Sequence, residues 1–144
     1  MAKSSSYSAK NVTAMLDGQR VQGLWDGDDA IVTDPIEDIG TLLVGADGDS
    51  LFSQRAGMPH TITLRLQHTS PTHRLLHQKW AVQRAAGIRV SAFPFTVVDV
   101  DSNEGGAADQ CFVHKGPSDQ KGVNAVTREW VLVTGEWIPN IPNG

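Results

Sequence analysis

The sequence holds one cysteine, one tyrosine and only 6% aromatic residues. A single thiol, Cys111, excludes an intrachain disulfide and any multi-cysteine zinc site. Long apolar runs are missing. No stretch approaches the roughly 20 residues that a transmembrane helix needs, and residues 1–8 are polar, without the apolar core of a signal peptide. Charge is sparse at 19%, against 40% hydrophobic residues, a balance that fits neither a disordered tail nor a membrane protein. Bases are fewer than acids, 12 Lys+Arg against 16 Asp+Glu, for a net charge of −4. That excludes the basic footprint of a duplex-binding protein. The phosphate loops of nucleotide enzymes and the GxSxG elbow of hydrolases are absent as well. The expectation is one soluble, cytoplasmic domain over 1–144, long enough to bury a core unaided.

Turn signals are abundant: Asp17-Gly18, Asp26-Gly27, Asp47-Gly48, Gly57, Gly105-Gly106, Gly116-Pro117 and Gly135. Short strand-like runs between them predict a mainly β chain, an antiparallel β-sandwich or barrel. In 10–16, Val12, Ala14 and Leu16 share a face. Asp17-Gly18 then suits a two-residue hairpin turn, with 20–25 as the returning strand. Residues 41–46 and 50–55 flank Asp47-Gly48 as a second hairpin. The clearest alternation is 61–67, where Ile62, Leu64 and Leu66 oppose Thr61, Thr63, Arg65 and Gln67, the pattern of a half-buried antiparallel strand. Residues 95–100 and 127–133 are further strands, the latter dense enough in apolar residues for both faces to be covered.

One helix interrupts this pattern, over about 71–86. Ser70 is placed to cap its first N–H groups, Pro71 suits the first helical position, and Gly87 is placed to end it. Leu76 and Trp80, widened by Leu75 and Val82, form its apolar face. His73, Arg74, His77, Lys79 and Arg84 form the other. The ends, 1–7 and 139–144, read as extended arms.

Candidate chemistry is thin. His73 and His77 lie one helical turn apart, as two zinc ligands would, but no third ligand or carboxylate joins them on the helix, so a solvated face is expected instead. The turns around Asp26, Asp28 and Asp29 and around Asp47 and Asp49 lack the remaining oxygen ligands of a calcium loop. His60 and His68 have surface or packing roles, and Cys111 reads as a small buried hydrophobe. No catalytic, cofactor or metal site is expected. The strongest anomaly is electrostatic: between Arg20 and Arg55 there is no Lys or Arg, and half the chain's acids fall in that interval. Such a block is either a solvated acidic edge or a surface kept negative so that polyanions pass without sticking.

The order of motifs resembles a family of bacteriophage tail tube proteins. Val44-Gly45-Ala46-Asp47-Gly48, then Thr61-Ile62-Thr63-Leu64-Arg65-Leu66 and Thr69-Ser70-Pro71 before a helix, is similar to that family's hairpin and strand-to-helix passage. The opening Tyr7-Ser8-Ala9-Lys10-Asn11-Val12, the turn after Trp25, Cys111-Phe112-Val113-His114-Lys115 and the closing Glu129-Trp130-Val131-Leu132 also fit. The likeness runs over about 7–137, departing at His73, where an Asn is usual. It implies a β-sandwich with a flanking helix whose inner sheet joins five others in a hexameric ring barrel. Rings then stack into a conduit for DNA inside a contractile sheath. No enzymatic activity and no cofactor are implied. The partners are copies of itself, sheath, baseplate or initiator, terminator and tape measure proteins, and DNA passing without specific binding. The location is the virion tail, assembled in the bacterial host cytoplasm. Asp28, Asp29, Asp34, Glu37, Asp38, Asp47 and Asp49 become candidate lumen or ring-contact acids; His73, Arg74, His77, Lys79 and Arg84 become a candidate sheath-facing surface, suited to an acidic partner. Two alternatives remain open: the tube of a phage-derived bacteriocin or secretion device, and a monomeric β-sandwich binding module with an exposed aromatic cluster. A hydrolase with a dispersed site is a further rival.

Overall fold

A computed structural model describes residues 12–25, 29–85, 92–119, 121–123 and 126–142. Ten strands and one helix follow in chain order: β1 (Val12–Leu16), β2 (Gln19–Arg20), β3 (Ile31–Pro35), β4 (Gly40–Val44), β5 (Ser50–Gln54), β6 (His60–Gln67), α1 (Thr72–Ala85), β7 (Phe93–Asp99), β8 (Gly105–Lys115), β9 (Thr127–Thr134) and β10 (Ile138–Pro139). Strands β4 and β5 form a separate two-stranded hairpin. The others make one sheet in the order β2-β1-β7-β8-β9-β6-β3, with β10 also beside β8. Every pairing is antiparallel. The mainly β chain with one flanking helix expected from the sequence is what the structure shows.

The 61–67 alternation lies at the centre. β6 pairs along its whole length with β9, from His60↔Thr134 to Gln67↔Thr127. Ile62, Leu64 and Leu66 are fully buried against Trp130 and Leu132, with Leu16, Phe95 and Leu76 completing the core. β9 is not equally covered on both faces: Trp130, Leu132 and Thr134 are buried, whereas Val131 and Val133 are only half-buried.

The first hairpin turns at Asp17 (φ 52) and Gly18 (φ 80), both in the left-handed region that a type I′ turn requires. Its returning strand is shorter than expected. β2 ends at Arg20, and after the Val21 N–H bonds to the Ala14 carbonyl the chain leaves β1. Two residues later it lies along β6: Gly23 accepts from the Gln67 N–H at 2.8 Å, and Trp25 donates to the Arg65 carbonyl at 2.9 Å. Three residues reach about 10 Å at most, so the sheet must curl until its β1 and β6 margins meet here.

The helix starts as its sequence predicts. Ser70 Oγ accepts from the Thr72 N–H at 3.2 Å, and Pro71 stands between this cap and Thr72, the first residue of α1. The same cap anchors the crossing segment, since Ser70 Oγ also donates to the Gln22 carbonyl and Thr72 Oγ1 accepts from the Gln22 N–H at 2.8 Å. Gly23 sits against this cap at φ +71, where a Cβ would meet Ser70 Cβ at 2.7 Å. Leu76 is fully buried and Leu75 and Trp80 pack on the core, but Val82 does not widen that face: it is 54% exposed. The expected helix end at Ala86 and Gly87 lies outside the described residues, as do the 1–7 arm and the Asp26-Gly27 turn.

Candidate assembly surfaces

Strand directions divide the turns into two groups. At one end, where β6 begins at His60 and β9 finishes at Thr134, lie the β3–β4 connection, the β4–β5 hairpin, the β7–β8 turn and the β9–β10 connection. At the other lie the β1–β2 turn, the passage from β6 into α1, and the β8–β9 connection. We refer to these as the hairpin end and the helix end.

The β4–β5 hairpin is the least self-sufficient element. Leu42↔Phe52, Leu43↔Leu51 and Val44↔Ser50 are paired in register, and the Gly45 N–H closes the tip on the Asp49 carbonyl at 2.7 Å. No further strand extends this two-stranded sheet among the described residues. Leu42, Leu43, Val44, Leu51 and Phe52 are each more than half exposed, and Ile36 and Ile39 at its base nearly so. An isolated hairpin with apolar residues on both faces is not stabilised by its own burial. Apolar surface concentrated on one projection marks an interaction site.

The acids from the charge-free interval do not hold together as one block. Asp47 and Asp49 occupy the hairpin tip, Glu37 and Asp38 its base, and Asp34 the outer part of β3; all are exposed. Glu37 is ion-paired with Arg55. Asp29 lies apart near the start of β3, where Arg65 binds both its carbonyl, at 2.8 Å, and its carboxylate, at 3.2 Å. Asp28 lies outside the described residues. The fold adds acids that the interval did not contain: Asp99, Asp101 and Glu104 at the β7–β8 turn, Asp109 on β8 and Glu136 before β10, all at the hairpin end. No local sequence signal could have found them, because only the strand order brings them to the hairpin.

The helix face also needs correcting. His73 does not belong to an exposed face: it is buried, its Nε2 donating to the Gln67 carbonyl at 2.8 Å and its Nδ1 accepting from Trp130 Nε1 at 3.0 Å. Burial holds its pKa below the ordinary 6.5. With both ring nitrogens engaged, it offers no lone pair to a metal shared with His77. Arg74, His77 and Arg84 are exposed, and Arg84 lies 5.3 Å from the Trp80 ring centre. Lys79 is half-buried and ion-paired with Asp17. Trp130 sits edge-on to His77 and Trp80, at 4.9 and 5.8 Å between ring centres. Through the buried Trp130 this cluster packs on the core, and Trp80 is only partly exposed.

The Gln83 side chain went unnoticed in the sequence, yet it continues the sheet. Its amide donates to the Val113 carbonyl at 2.8 Å and accepts from the Val113 N–H at 2.9 Å. It thereby replaces the partner that β8 lacks once β7 begins at Phe93, opposite Cys111. Cys111 is fully buried, and desolvation pushes its thiol up to about 11. An open cleft of about 540 Å³ lies where β9 parts from β8, lined by Asp109, Gln110, Phe112, Thr134 and Glu136 among others. It contains no histidine, lysine or cysteine, and no cluster suited to a metal occurs among the described residues.

Comparison with known proteins gives a consistent result. The family model described as bacteriophage PhiTE tail tube protein matches residues 4–139. No curated protein sequence matches this chain. Among solved structures, the fold is similar to a chain from the sheath/tube terminator of the extracellular contractile injection system PVC in its extended state. Identity is 11%, coverage 97% of this chain and 100% of that one, and the TM-score 0.66. It is also similar to a chain from the sheath–tube complex of the same system, at 12% identity, 93% and 90% coverage and a TM-score of 0.62. A third is the tube-terminating cap of the anti-feeding prophage, at 11% identity, 96% and 93% coverage and a TM-score of 0.54.

Proposed function

Because this chain belongs to the bacteriophage PhiTE tail tube protein family, a family of structural rather than catalytic proteins, we propose that it is the repeating subunit of a tail tube. Copies close into hexameric rings, and rings stack into a bore through which DNA leaves the particle. The β4–β5 hairpin carries this reading: an apolar, two-stranded projection is satisfied only when a neighbouring subunit covers it. Ring closure also pairs exposed strand edges that would otherwise template uncontrolled association.

In this arrangement Glu37, Asp38, Asp47 and Asp49 are ring-contact acids, since they sit on the element that needs a neighbour. Arg74, His77, Lys79 and Arg84 flank the tube and face a sheath of complementary charge. A subunit with a net charge of −4 gives a passing polyanion no net attraction. The same assembly serves a phage or a phage-like injection device.

Negative-stain electron microscopy of the concentrated chain tests the proposal, beside a Leu43→Asp/Leu51→Asp variant. The wild type is expected to give rings or tubes with a central hole, and the variant folded monomers of unchanged circular dichroism. A wild-type chain that stays monomeric at every concentration, and also when offered preformed tube ends, would overturn it.

A further inference from the structure

The cleft between β8 and β9 is built from both sides. β8 pairs with β9 up to Cys111↔Thr134, and β10 resumes the same register at Ala107↔Ile138. Between these two pairs the sheet opens as a window. The other neighbour of β8 gives way at the same place. β7 pairs at Phe93↔Cys111 and at Phe95↔Ala108, which leaves a bulge in β8 opposite Pro94. Pro94 has no N–H to give, and its carbonyl accepts from the Asp17 N–H at 2.9 Å. Asp109 and Gln110 therefore have a register partner on neither side. Two bonds hold the margin of the window: Thr134 Oγ1 donates to the Gln110 carbonyl at 2.9 Å, and the Trp137 N–H to the Met58 carbonyl at 3.0 Å.

The window joins one sign of charge to apolar surface. Asp109 stands on its β8 wall and Glu136 on the wall opposite; both are exposed, and neither is ion-paired among the described residues. No Lys, Arg or His lines the cleft, while Phe112 and Ile138 do. Its volume of about 540 Å³ is that of a ligand cleft, roughly 300–1,000 Å³. Two carboxylates are too few for calcium, which takes six or more oxygen ligands. An organic cation matches both the charge and the apolar walls. We propose that the cleft receives an arginine side chain carried on an extended peptide segment of a partner protein. A guanidinium pairs with a carboxylate through two parallel bonds and stacks its flat face on an aromatic ring, here Phe112. The methylene stem covers Ile138, and the bulged main chain of β8 is open to the backbone of the segment. This chain does not supply such an arginine from its described residues. Arg55, Arg65 and Arg128 are ion-paired, Arg84 lies on Trp80, Arg20 sits within the β1–β2 hairpin and Arg74 on α1.

Amide chemical shifts of the full chain test the proposal, with Leu43→Asp/Leu51→Asp on the hairpin to keep it dispersed. The probe is the acetylated tripeptide amide leucyl-arginyl-leucine. It is expected to move the amides of Gly57, Gln110, Phe112, Gly135 and Glu136 and to leave those of α1 in place. Asp109→Asn/Glu136→Gln should weaken binding at least about tenfold. Asp34→Asn/Glu104→Gln removes the same charge from exposed positions outside the cleft and should change it less than about twofold. All four side chains are exposed, so these near-isosteric changes retain the fold, as circular dichroism checks. The lysine analogue should bind several-fold more weakly, and the glutamate analogue not at all. Absence of shifts at the cleft up to about 10 mM peptide would overturn the proposal. Equal weakening by the two double variants would do so too, because the attraction would then be diffuse. Equal binding of the lysine analogue would remove the guanidinium from the site. In the chain without the hairpin substitutions, loss of self-association from Asp109→Asn/Glu136→Gln would give the cleft to a second copy and overturn the proposal as well. Arginine binding at the cleft is read on the dispersed chain, so its failure leaves the tube reading untouched.

Discussion

Trp130 donates its indole N–H to Nδ1 of His73 across 3.0 Å, while the opposite ring nitrogen donates to the Gln67 carbonyl. The two bonds fix His73 as the neutral tautomer with hydrogen on Nε2, and a second proton at Nδ1 must break the link between α1 and β9. Burial, with Arg128, His77 and His68 nearby, disfavours that proton, so the folded pKa lies below 6.5. The unfolded chain then binds the proton more readily. The stability that His73 contributes is complete above about pH 6.5 and is lost as pH falls from there through the folded value. Urea midpoints at pH 8 and pH 5 are predicted to differ more for the wild type than for His73→Asn. Equal differences would show that His73 is not the titrating group.

Gln83 completes the edge of β8 with two bonds to Val113. Replacing it with alanine leaves that N–H and carbonyl without their partner. A loss of about 1–3 kcal/mol is expected on chemical denaturation, together with faster exchange of the Val113 amide. Unchanged protection of that amide would mean that the strand edge does not depend on the helix.

Gly23 combines a left-handed backbone with contact against Ser70. Gly23→Ala therefore meets strain and overlap at once, at the segment where the sheet margins meet. A destabilisation of about 2 kcal/mol or more is expected. Gly18→Ala, whose added Cβ meets nothing within 4 Å, should lose less because only its backbone is strained. Equal losses from the two would remove the packing role assigned to Gly23.

Cys111 should be close to inert in the folded protein. A thiol near 11 rather than 9.0 holds about a hundredfold less thiolate at pH 8, and burial blocks the reagent besides. Modification by a thiol-reactive dye is predicted to be at least that much slower in buffer than in denaturant. Rapid labelling of the native chain would contradict its placement.

The sequence disclosed whatever neighbouring residues decide among themselves. The alternation of Ile62, Leu64 and Leu66, the Asp17-Gly18 and Asp47-Gly48 turns and the Ser70-Pro71 helix start all stand in the structure. What failed depended on distant partners. His73 belongs by helical spacing to a polar face, and only Trp130, far along the chain, makes its burial favourable. Trp137 falls in no element that periodicity marks, yet it is buried beside Phe95 and His60. The acids of the β7–β8 turn reach the hairpin end through strand order alone. Periodicity reports which face of an element is apolar, not which element will cover it.

Strand order also sets a timetable. β1 pairs with β7, so Val12 waits for Asp99 and Leu16 for Phe95 before β1 finds its main partner. During synthesis the amino-terminal third of the chain therefore leaves the ribosome without its sheet. Among the described residues, sequential pairing is confined to the short β1–β2 turn, the separate β4–β5 hairpin and the run β7-β8-β9. So large a share of non-local pairing places folding in the slow regime, milliseconds to seconds. Until β7 arrives, the apolar residues of β1 have no sheet to pack on, and those of the hairpin stay exposed even in the folded chain. The nascent chain is thus exposed to premature aggregation for most of its translation, and chaperone supply can limit its yield before any assembly begins.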